Sequence, residues 1–176
     1  RILMHTTQRL FCSDLDGTLL GKPDATLSFK RTWDDLRSSS EAEEVPLLVY
    51  NSGRLLPHTL EVLQQCNLPE PDYLICGVGT LIYDFRGKQI IKVFSDTLNT
   101  GWDRQTVREV MLSYNDVEEQ PQKYQNKFKS SWYIYDASEQ RIRQIETDLA
   151  ERDLSVNVVY SSSRDLDVLP LYANKG

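Results

Sequence analysis

Near the start of the chain the sequence reads Leu10-Phe11-Cys12-Ser13-Asp14-Leu15-Asp16-Gly17-Thr18. Its apolar beginning predicts a buried parallel strand, and the acids predict a loop that starts where the strand ends. Ligands of open parallel sheets bind at this edge, outside the carboxyl ends of the strands. Because two carboxylates held there repel each other, they indicate a site for a cation or a proton.

The alternation of strands and helices continues along the chain. Residues 45–50 and 73–76 are apolar runs that predict two more strands. Residues 28–36 and 57–66 have the apolar spacing of helices. Strands that alternate with helices at this spacing predict an α/β fold with a parallel sheet.

After residue 80 the pattern changes. Residues 81–83 and 90–93 predict a hairpin that turns at Gly87. Beyond it we expect two helices and three strands, at residues 103–114, 131–135, 138–152, 155–160 and 166–169. We therefore predict a first part at residues 1–98 and a small α+β unit at residues 99–164 that is inserted into, or appended to, the first sheet. Residues 165–176 are predicted to return to the core that the first sheet forms.

The composition is that of a globular protein. The 176 residues include 20 Lys and Arg against 26 Asp and Glu, which gives a net charge of -6, and 40% of them are hydrophobic. The acidic balance argues against a nucleic acid or an anionic membrane as partner, since both need a basic face. No apolar run approaches the roughly 20 residues of a membrane span, and none at the start has the length of a signal peptide.

Three cysteines, Cys12, Cys66 and Cys76, have neither metal-binding nor disulfide spacing. Because their number is odd and no signal precedes them, we expect reduced thiols and a cytoplasmic protein. Cys12 and Cys76 each lie in an apolar run and are expected in the core. The two histidines, His5 and His58, are far apart and are expected to be solvated.

The paired acids Asp14 and Asp16 are candidates for chemistry on a phosphoryl group. Carboxylate oxygens suit Mg²⁺, which keeps water and substrate phosphate in its remaining positions. One carboxylate could attack phosphorus to form an aspartyl-phosphate, and the other could act as general acid and base. Gly17 would let the backbone turn close to a ligand. The alternative is a surface Asp-Gly turn with a solvated acid beside it.

Two other segments could contact a phosphate. Asn51-Ser52-Gly53-Arg54 follows the second predicted strand, where a hydroxyl and backbone N–H groups near a helix start can hold phosphate oxygens. The alternative is an ordinary turn that starts a helix. In Asn174-Lys175-Gly176 a lysine could neutralise a phosphoryl group, although taken alone it is a terminal lysine.

Together these three segments resemble motifs one to three of the haloacid dehalogenase superfamily of phosphatases. Within it the chain resembles the sucrose-phosphate phosphatases and related sugar-phosphate phosphatases, also at residues 77–80, 82–83 and 167–170 and more weakly at 102–104 and 119–136. The resemblance implies a Rossmann-like core, incomplete at its C-terminal end, whose inserted α+β unit is a cap that closes over the core and selects the sugar.

The resemblance also implies roles for single residues. Asp14 would be the nucleophile and a Mg²⁺ ligand, and Asp16 the general acid and base, giving the metal its backbone carbonyl. Ser52 would hydrogen-bond the transferring phosphoryl group, and Lys175 would stabilise its charge. Candidate substrate contacts are Gly17, Thr18, Gly53, Arg54, Gly79, Thr80, Gln125, Asn126, Lys129 and Asn174. For Lys129 the alternative is a lysine that blunts a strand edge. Trp132, Tyr133 and Tyr135 could stack on a sugar, but we expect them to pack in the cap sheet instead.

The implied activity is Mg²⁺-dependent hydrolysis of a sugar phosphate through an aspartyl-phosphate, with sucrose 6-phosphate as the expected substrate. Other phosphorylated glycosides, such as mannosyl- or glucosylglycerate phosphates, are alternative substrates. The family's fourth, acid-bearing motif would follow Gly176, so we expect a fragment of a longer protein, a second chain that completes it, or a non-catalytic remnant. The rival functions are a sugar-phosphate-binding regulatory module, such as one fused to a glycosyltransferase, and a phosphotransferase or phosphonatase.

Overall fold

The structure is a computed structural model that describes residues 8–39 and 45–174. In its first part the elements are β1 (Leu10–Asp14), α1 (Pro23–Ser39), β2 (Leu47–Asn51), α2 (Leu56–Gln65), β3 (Tyr73–Cys76), β4 (Leu81–Asp84), β5 (Gln89–Ile90) and α3 (Lys92–Thr97). The strands form a sheet in the order β1-β2-β3-β4-β5, in which β1 to β3 are parallel and β4 and β5 antiparallel. The predicted α/β fold with a parallel sheet is confirmed.

The second part contains α4 (Arg104–Leu112), β6 (Glu118–Glu119), β7 (Ser130–Tyr133), α5 (Glu139–Ala150), β8 (Val156–Ser161) and β9 (Asp165–Pro170). Its strands form an antiparallel sheet in the order β6-β7-β9-β8. Trp132, Leu166 and Val168 of this sheet pack against Met111 and Ile145 of the two helices. Because side chains alternate along a strand, the helices cover one face of the second sheet and leave the other face for polar residues.

In the first part of the chain, the helices α1 and α3 differ from the prediction. The helix α1 begins at Pro23, five residues before the predicted start, because a proline fits the first turn of a helix. The predicted strand at residues 90–93 ends at Ile90, and Lys92 begins the helix α3. Phe94 of that helix packs against the apolar cluster that contains the buried Leu98, and their spacing of four residues suits a helix and not a strand.

The strand β9 also differs from the prediction. We expected residues 165–176 to return to the first sheet, but β9 pairs with β7 and β8. The second sheet therefore extends to Pro170. A local pattern of alternating residues predicts a strand, but it cannot tell which distant strand will be its partner.

The cysteines are split between core and surface. Cys76 is 1% exposed, as predicted, and burial raises the pKa of its thiol to about 11. Cys12 is exposed, so the prediction that it lies in the core is wrong: within the described residues β1 is an edge strand of its sheet.

His58 is half-buried rather than solvated, and His5 lies outside the described residues. Within the ranges given above, the structure contains no helix that is both long and apolar enough to cross a membrane.

A third apolar cluster joins the two sheets. It consists of the buried residues Leu98, Phe128, Leu169 and Ala173, and the half-buried Val78 packs against it. Leu98 and Val78 belong to the first part of the chain, whereas Phe128 and Leu169 belong to the second. This junction cluster holds the polar face of the second sheet near the carboxyl ends of the first sheet's strands.

Candidate active site

Two of the three sequence segments with predicted phosphate chemistry, residues 14–18 and 51–54, meet at one edge of the first sheet. Asp14 is the last residue of β1 and is paired in register with Asn51, the last residue of β2. Parallel strands bring their carboxyl ends to the same edge, so Asp16 and Ser52 follow side by side. Thr18 donates its hydroxyl to Asp14 Oδ2 at 3.3 Å. Gly17 completes the turn at φ +75°, a backbone conformation that favours glycine. A Cβ atom there would meet no other atom within 4 Å, so the backbone conformation and not crowding favours glycine.

Asp16 is held by an arginine from the neighbouring loop. Arg54 Nε donates to both carboxylate oxygens of Asp16 at 3.1 Å, and Arg54 Nη2 lies 2.8 Å from Oδ1. This charge-assisted hydrogen bonding holds the pKa of Arg54 above its usual value. The cation that balances Asp16 in this structure is therefore a side chain of the protein itself.

Ser52 contacts both Asp16 and Arg54. Its side chain is fully buried, and its Oγ lies 3.5 Å from Asp16 Oδ2. The Arg54 backbone N–H donates to Ser52 Oγ at 3.1 Å. The Ser52 N–H donates to the carbonyl of Ile75 on β3 at 2.8 Å, which fixes the turn to the sheet. A rigid hydroxyl at this position is suited to contact an anion held between the loops.

The oxygen donors at this edge fit Mg²⁺. The Asp14 carboxylate and the Asp16 carbonyl are hard ligands, and Mg²⁺ is commonly held by one or two carboxylates while water and phosphate oxygens fill its other positions. Among residues 8–39 and 45–174 no group of three or more His, Cys, Asp or Glu side chains is arranged around a common metal position. The residues present would thus supply part of a coordination shell. Lys175, predicted to complete the site, lies outside the described residues.

A cleft separates this edge from the polar face of the second sheet. One cavity of about 480 Å³ is lined by Gly53 and Val78 on the first side and by residues of the second part, namely Gln120, Tyr124, Lys129, Tyr133, Val159, Ser161, Arg164, Asp165 and Asp167. A second cavity of about 340 Å³ contains Asp16, Arg54 and His58 together with Tyr124 and Lys129. The two cavities share Gly53, Tyr124 and Lys129, so they form one path from Asp16 to the second sheet.

Lys129 is the buried cation of this cleft. Its side chain is 7% exposed, and its Nζ lies 2.8 Å from Asp167 Oδ1. Nζ also donates to the Ser131 hydroxyl and, at 3.3 Å, to the carbonyl of Tyr124. Ser131 Oγ in turn donates to Asp167 Oδ1 at 2.6 Å. These contacts fix the ammonium group at the cleft, and they do not fit a lysine that blunts an exposed strand edge.

Other residues predicted to bind substrate use their polar groups inside the protein. The Gln125 amide donates to the carbonyls of Gln120 and Ser131, and its oxygen accepts the Ser131 N–H. Asn126 donates to Thr80 Oγ1 at 3.0 Å and accepts from the Phe128 N–H. Thr80 donates to the carbonyl of Gly77, and Gly79 packs against the backbone of Asn174. These residues are not among those that line the cleft.

Sequence reasoning missed several residues that line the cleft, including Tyr124, Asp165, Asp167 and Val78. The signal for the two acids was present: Asp165 and Asp167 alternate with the buried Leu166 and Val168 along β9, so they share a face. Tyr133 lines the cleft and stacks on Tyr135 with ring centroids 6.3 Å apart, whereas Trp132 is fully buried on the helix side.

Comparison with known proteins gives three consistent results. The family model of sucrose-6F-phosphate phosphohydrolase matches residues 7–176. Over 96% of its length the chain is 41% identical to the mannosylfructose-phosphate phosphatase of Agrobacterium fabrum, of which it covers 66%. It is 30% identical over 99% of its length to sucrose-phosphatase 1 of Nicotiana tabacum, of which it covers 41%.

Among solved structures, the fold is similar to that of the sucrose-phosphatase from Synechocystis sp. PCC6803 in complex with sucrose and phosphate. The TM-score is 0.85 at 30% sequence identity, and the match covers 96% of this chain and 66% of that chain. The chain therefore spans less than two thirds of the length of these three relatives.

Proposed function

The chain belongs to the sucrose-6F-phosphate phosphohydrolase family, and we propose that the protein containing it hydrolyses the phosphate monoester of a disaccharide. The observation that carries the proposal is the meeting of Asp14, Asp16, Ser52 and Arg54 at the carboxyl edge of the first sheet. The cleft that leads from this edge to the second sheet supports a substrate larger than phosphate. Carboxylate, hydroxyl and guanidinium groups at one point suit attack on a phosphoryl group.

The proposed reaction has two steps. The Asp14 carboxylate attacks phosphorus, the bond to the sugar oxygen breaks, and protonated Asp16 gives its proton to that leaving oxygen. Ionised Asp16 then takes a proton from water, which attacks phosphorus and releases inorganic phosphate and the Asp14 carboxylate. For both steps Asp16 must leave Arg54, whose guanidinium can then hold the phosphoryl oxygens together with Ser52 Oγ.

Mg²⁺ is the proposed cofactor, held by the Asp14 carboxylate and the Asp16 carbonyl. When bound there it would offset the negative charge that Asp14 and the phosphoryl oxygens bring together. We also propose that Lys175, which follows Asn174, adds positive charge to the same site.

The sugar is proposed to lie in the cleft. The cleft is lined by Lys129, Asp167 and Tyr133, which offer an ammonium group, a carboxylate and an aromatic face. These are groups that commonly contact sugar hydroxyls and rings. Sucrose 6-phosphate is the first candidate substrate. Mannosylfructose phosphate is the second, because the relative that acts on it is 41% identical to this chain. The two sugars share a fructose unit and differ in the hexose attached to it.

The proposed location is the cytoplasm. The thiols of Cys12, Cys66 and Cys76 form no disulfide in the described structure. Unpaired thiols are typical of a reducing compartment.

The test is the release of inorganic phosphate by the full-length protein. Sucrose 6-phosphate, mannosylfructose phosphate and fructose 6-phosphate are compared with Mg²⁺ and with EDTA. We expect kcat/KM to be at least about tenfold higher for one of the disaccharide phosphates than for fructose 6-phosphate, with activity lost in EDTA and restored by Mg²⁺. Binding of the disaccharide phosphates without phosphate release would identify a regulatory module instead, and transfer of the phosphoryl group to another acceptor would identify a phosphotransferase.

A further inference from the structure

Val78 has an unusual backbone conformation for its residue type. Its φ is +60°, between Gly77 at +59° and Gly79 at +82°. In the described chain the other non-glycine residues with positive φ are exposed polar residues in turns: Lys88, Asp136, Asp153, Ser162 and Ser163. A β-branched residue in the left-handed region is strained, and such strain persists only where surrounding contacts hold it in place.

The turn of residues 77–80, here called the connecting turn, is bonded to the candidate active site on one side. The Gly77 N–H donates to the carbonyl of Arg54 at 2.7 Å, and the Val78 N–H lies 3.4 Å from the carbonyl of Ser52. Val78 Cγ2 lies 3.9 Å from the position that a Cβ on Gly53 would occupy. The connecting turn thus contacts all three residues of the loop that holds Asp16.

On its other side the connecting turn contacts the second part of the chain. The Val78 side chain packs against the junction cluster, which includes Phe128 and Leu169. Thr80 Oγ1 accepts a hydrogen bond from Asn126 Nδ2, and the side-chain oxygen Oδ1 of Asn126 accepts the Phe128 N–H. The segment from Asn126 to Phe128 leads directly to Lys129, the buried cation of the cleft.

A close backbone approach fixes the turn from a third direction. A Cβ on Gly79 would lie 2.0 Å from the carbonyl oxygen of Asn174. This position therefore requires glycine, and the turn cannot shift without moving the segment that precedes Lys175. Glycine would suit the backbone at position 78 as well, so the valine is explained by what its side chain contacts.

We infer that Val78 is a positioning residue that sets the distance between the phosphate side and the sugar side of the cleft. Its side chain fills the space between Gly53 and the junction cluster, and its strained backbone is held by contacts with both. The inference rests on the proposed function and adds to it the residue on which correct spacing depends. A substrate that spans the cleft needs this spacing, whereas a small phosphate ester held only at Asp14, Ser52 and Arg54 does not.

The test compares Val78→Ala with the wild-type full-length protein on two substrates, the preferred disaccharide phosphate and p-nitrophenyl phosphate. We expect Val78→Ala to raise KM for the disaccharide phosphate by roughly tenfold, with a smaller change in kcat. For p-nitrophenyl phosphate both constants should change by less than about twofold. Val78→Ile keeps the β-branch and the contacts and should restore the wild-type KM. The matched control is Val93→Ala, since Val93 is a 79% exposed valine on α3.

A second measurement does not depend on the substrate. Amide hydrogen exchange of the same variants should be faster in Val78→Ala both at residues 77–80 and at residues 126–129, and unchanged in Val93→Ala. Equal losses with both substrates, or faster exchange confined to residues 77–80, would overturn the inference. Absence of phosphate release from every sugar phosphate by the wild-type protein would instead contradict the proposed function, and the exchange data would still decide the role of Val78.

Discussion

The ion pair between Arg54 and Asp16 is close to solvent, with side chains 41% and 44% exposed. Pairs of this kind contribute less than about 1 kcal/mol to the free energy of unfolding, because water screens the charges and the long side chain loses freedom. The pair therefore orients Asp16 more than it stabilises the fold. A low energy also allows Arg54 to leave the carboxylate when a phosphoryl group binds.

Replacing Arg54 tests this interpretation. Arg54→Ala should lower kcat/KM of the full-length protein for a sugar phosphate by roughly 10- to 100-fold, because both the bidentate contact and the positive charge are lost. Arg54→Lys should recover part of the loss, since it keeps the charge but not the two parallel hydrogen bonds. The measurement is steady-state phosphate release together with the thermal midpoint, which should move little.

The control for Arg54 is Arg143→Ala, which removes an arginine that is 77% exposed on α5. It should leave both kcat/KM and the thermal midpoint unchanged. An Arg54→Ala variant with the activity of the wild type would show that Arg54 has no part in the reaction.

The positions of site residues near strand ends were predictable from the sequence, whereas those of residues in the irregular segment 125–129 were not. Asp14 ends the strand β1, and Asp16 and Ser52 lie within two residues of a strand end. Parallel pairing brings such strand ends together whatever the conformation of the loops. Lys129, Gln125 and Asn126 lie in one irregular segment, and only its packing decides which side chain faces the cleft. Lys129 does so, whereas both amides are used inside the protein.

The strand β9 gives the second sheet its two unlike faces. Leu166 and Val168 pack towards the helices, and Asp165 and Asp167 point into the cleft. The sequence predicted a shorter strand here, at residues 166–169, and the strand runs from Asp165 to Pro170. Its place between β7 and β8 could not be predicted, because partners from distant parts of the chain are chosen by packing of the whole sheet.

Asp167 is expected to stabilise this sheet as well as face the cleft. Asp167→Asn would leave the ammonium group of Lys129, 7% exposed, without its carboxylate. We expect a loss of about 2–4 kcal/mol in the free energy of unfolding, since a buried charge without its partner is costly. Urea unfolding of the full-length protein measures this loss.

The matched control for Asp167 is Asp34→Asn on α1. Asp34 pairs with Lys30 at 2.9 Å, but the two side chains are 50% and 31% exposed. Breaking this pair should cost less than about 0.5 kcal/mol. If the two variants lost equal stability, Lys129 would not be a buried cation that depends on Asp167.

The whole molecule is two sheets joined along a cleft. In the proposed function the first sheet supplies the phosphate side and the second supplies the sugar side, and the junction cluster packs between them. Alternating strands and helices predicted the first sheet, and the change of pattern after residue 80 predicted a second unit. The orientation of one to the other depends on contacts such as those of Val78 and Leu169, which no local pattern reveals.

The central claim is that Asp14 carries out phosphoryl transfer in a sugar phosphatase. Its most direct test compares phosphate release from sucrose 6-phosphate and mannosylfructose phosphate by the full-length wild-type protein and by its Asp14→Asn variant. The matched control is Asp35→Asn, which changes an exposed aspartate on α1. We predict a loss of at least about a thousandfold in kcat for Asp14→Asn, since an amide is not a nucleophile towards phosphorus, and no change for Asp35→Asn. Phosphate release by Asp14→Asn at a rate close to that of the wild type would contradict the claim.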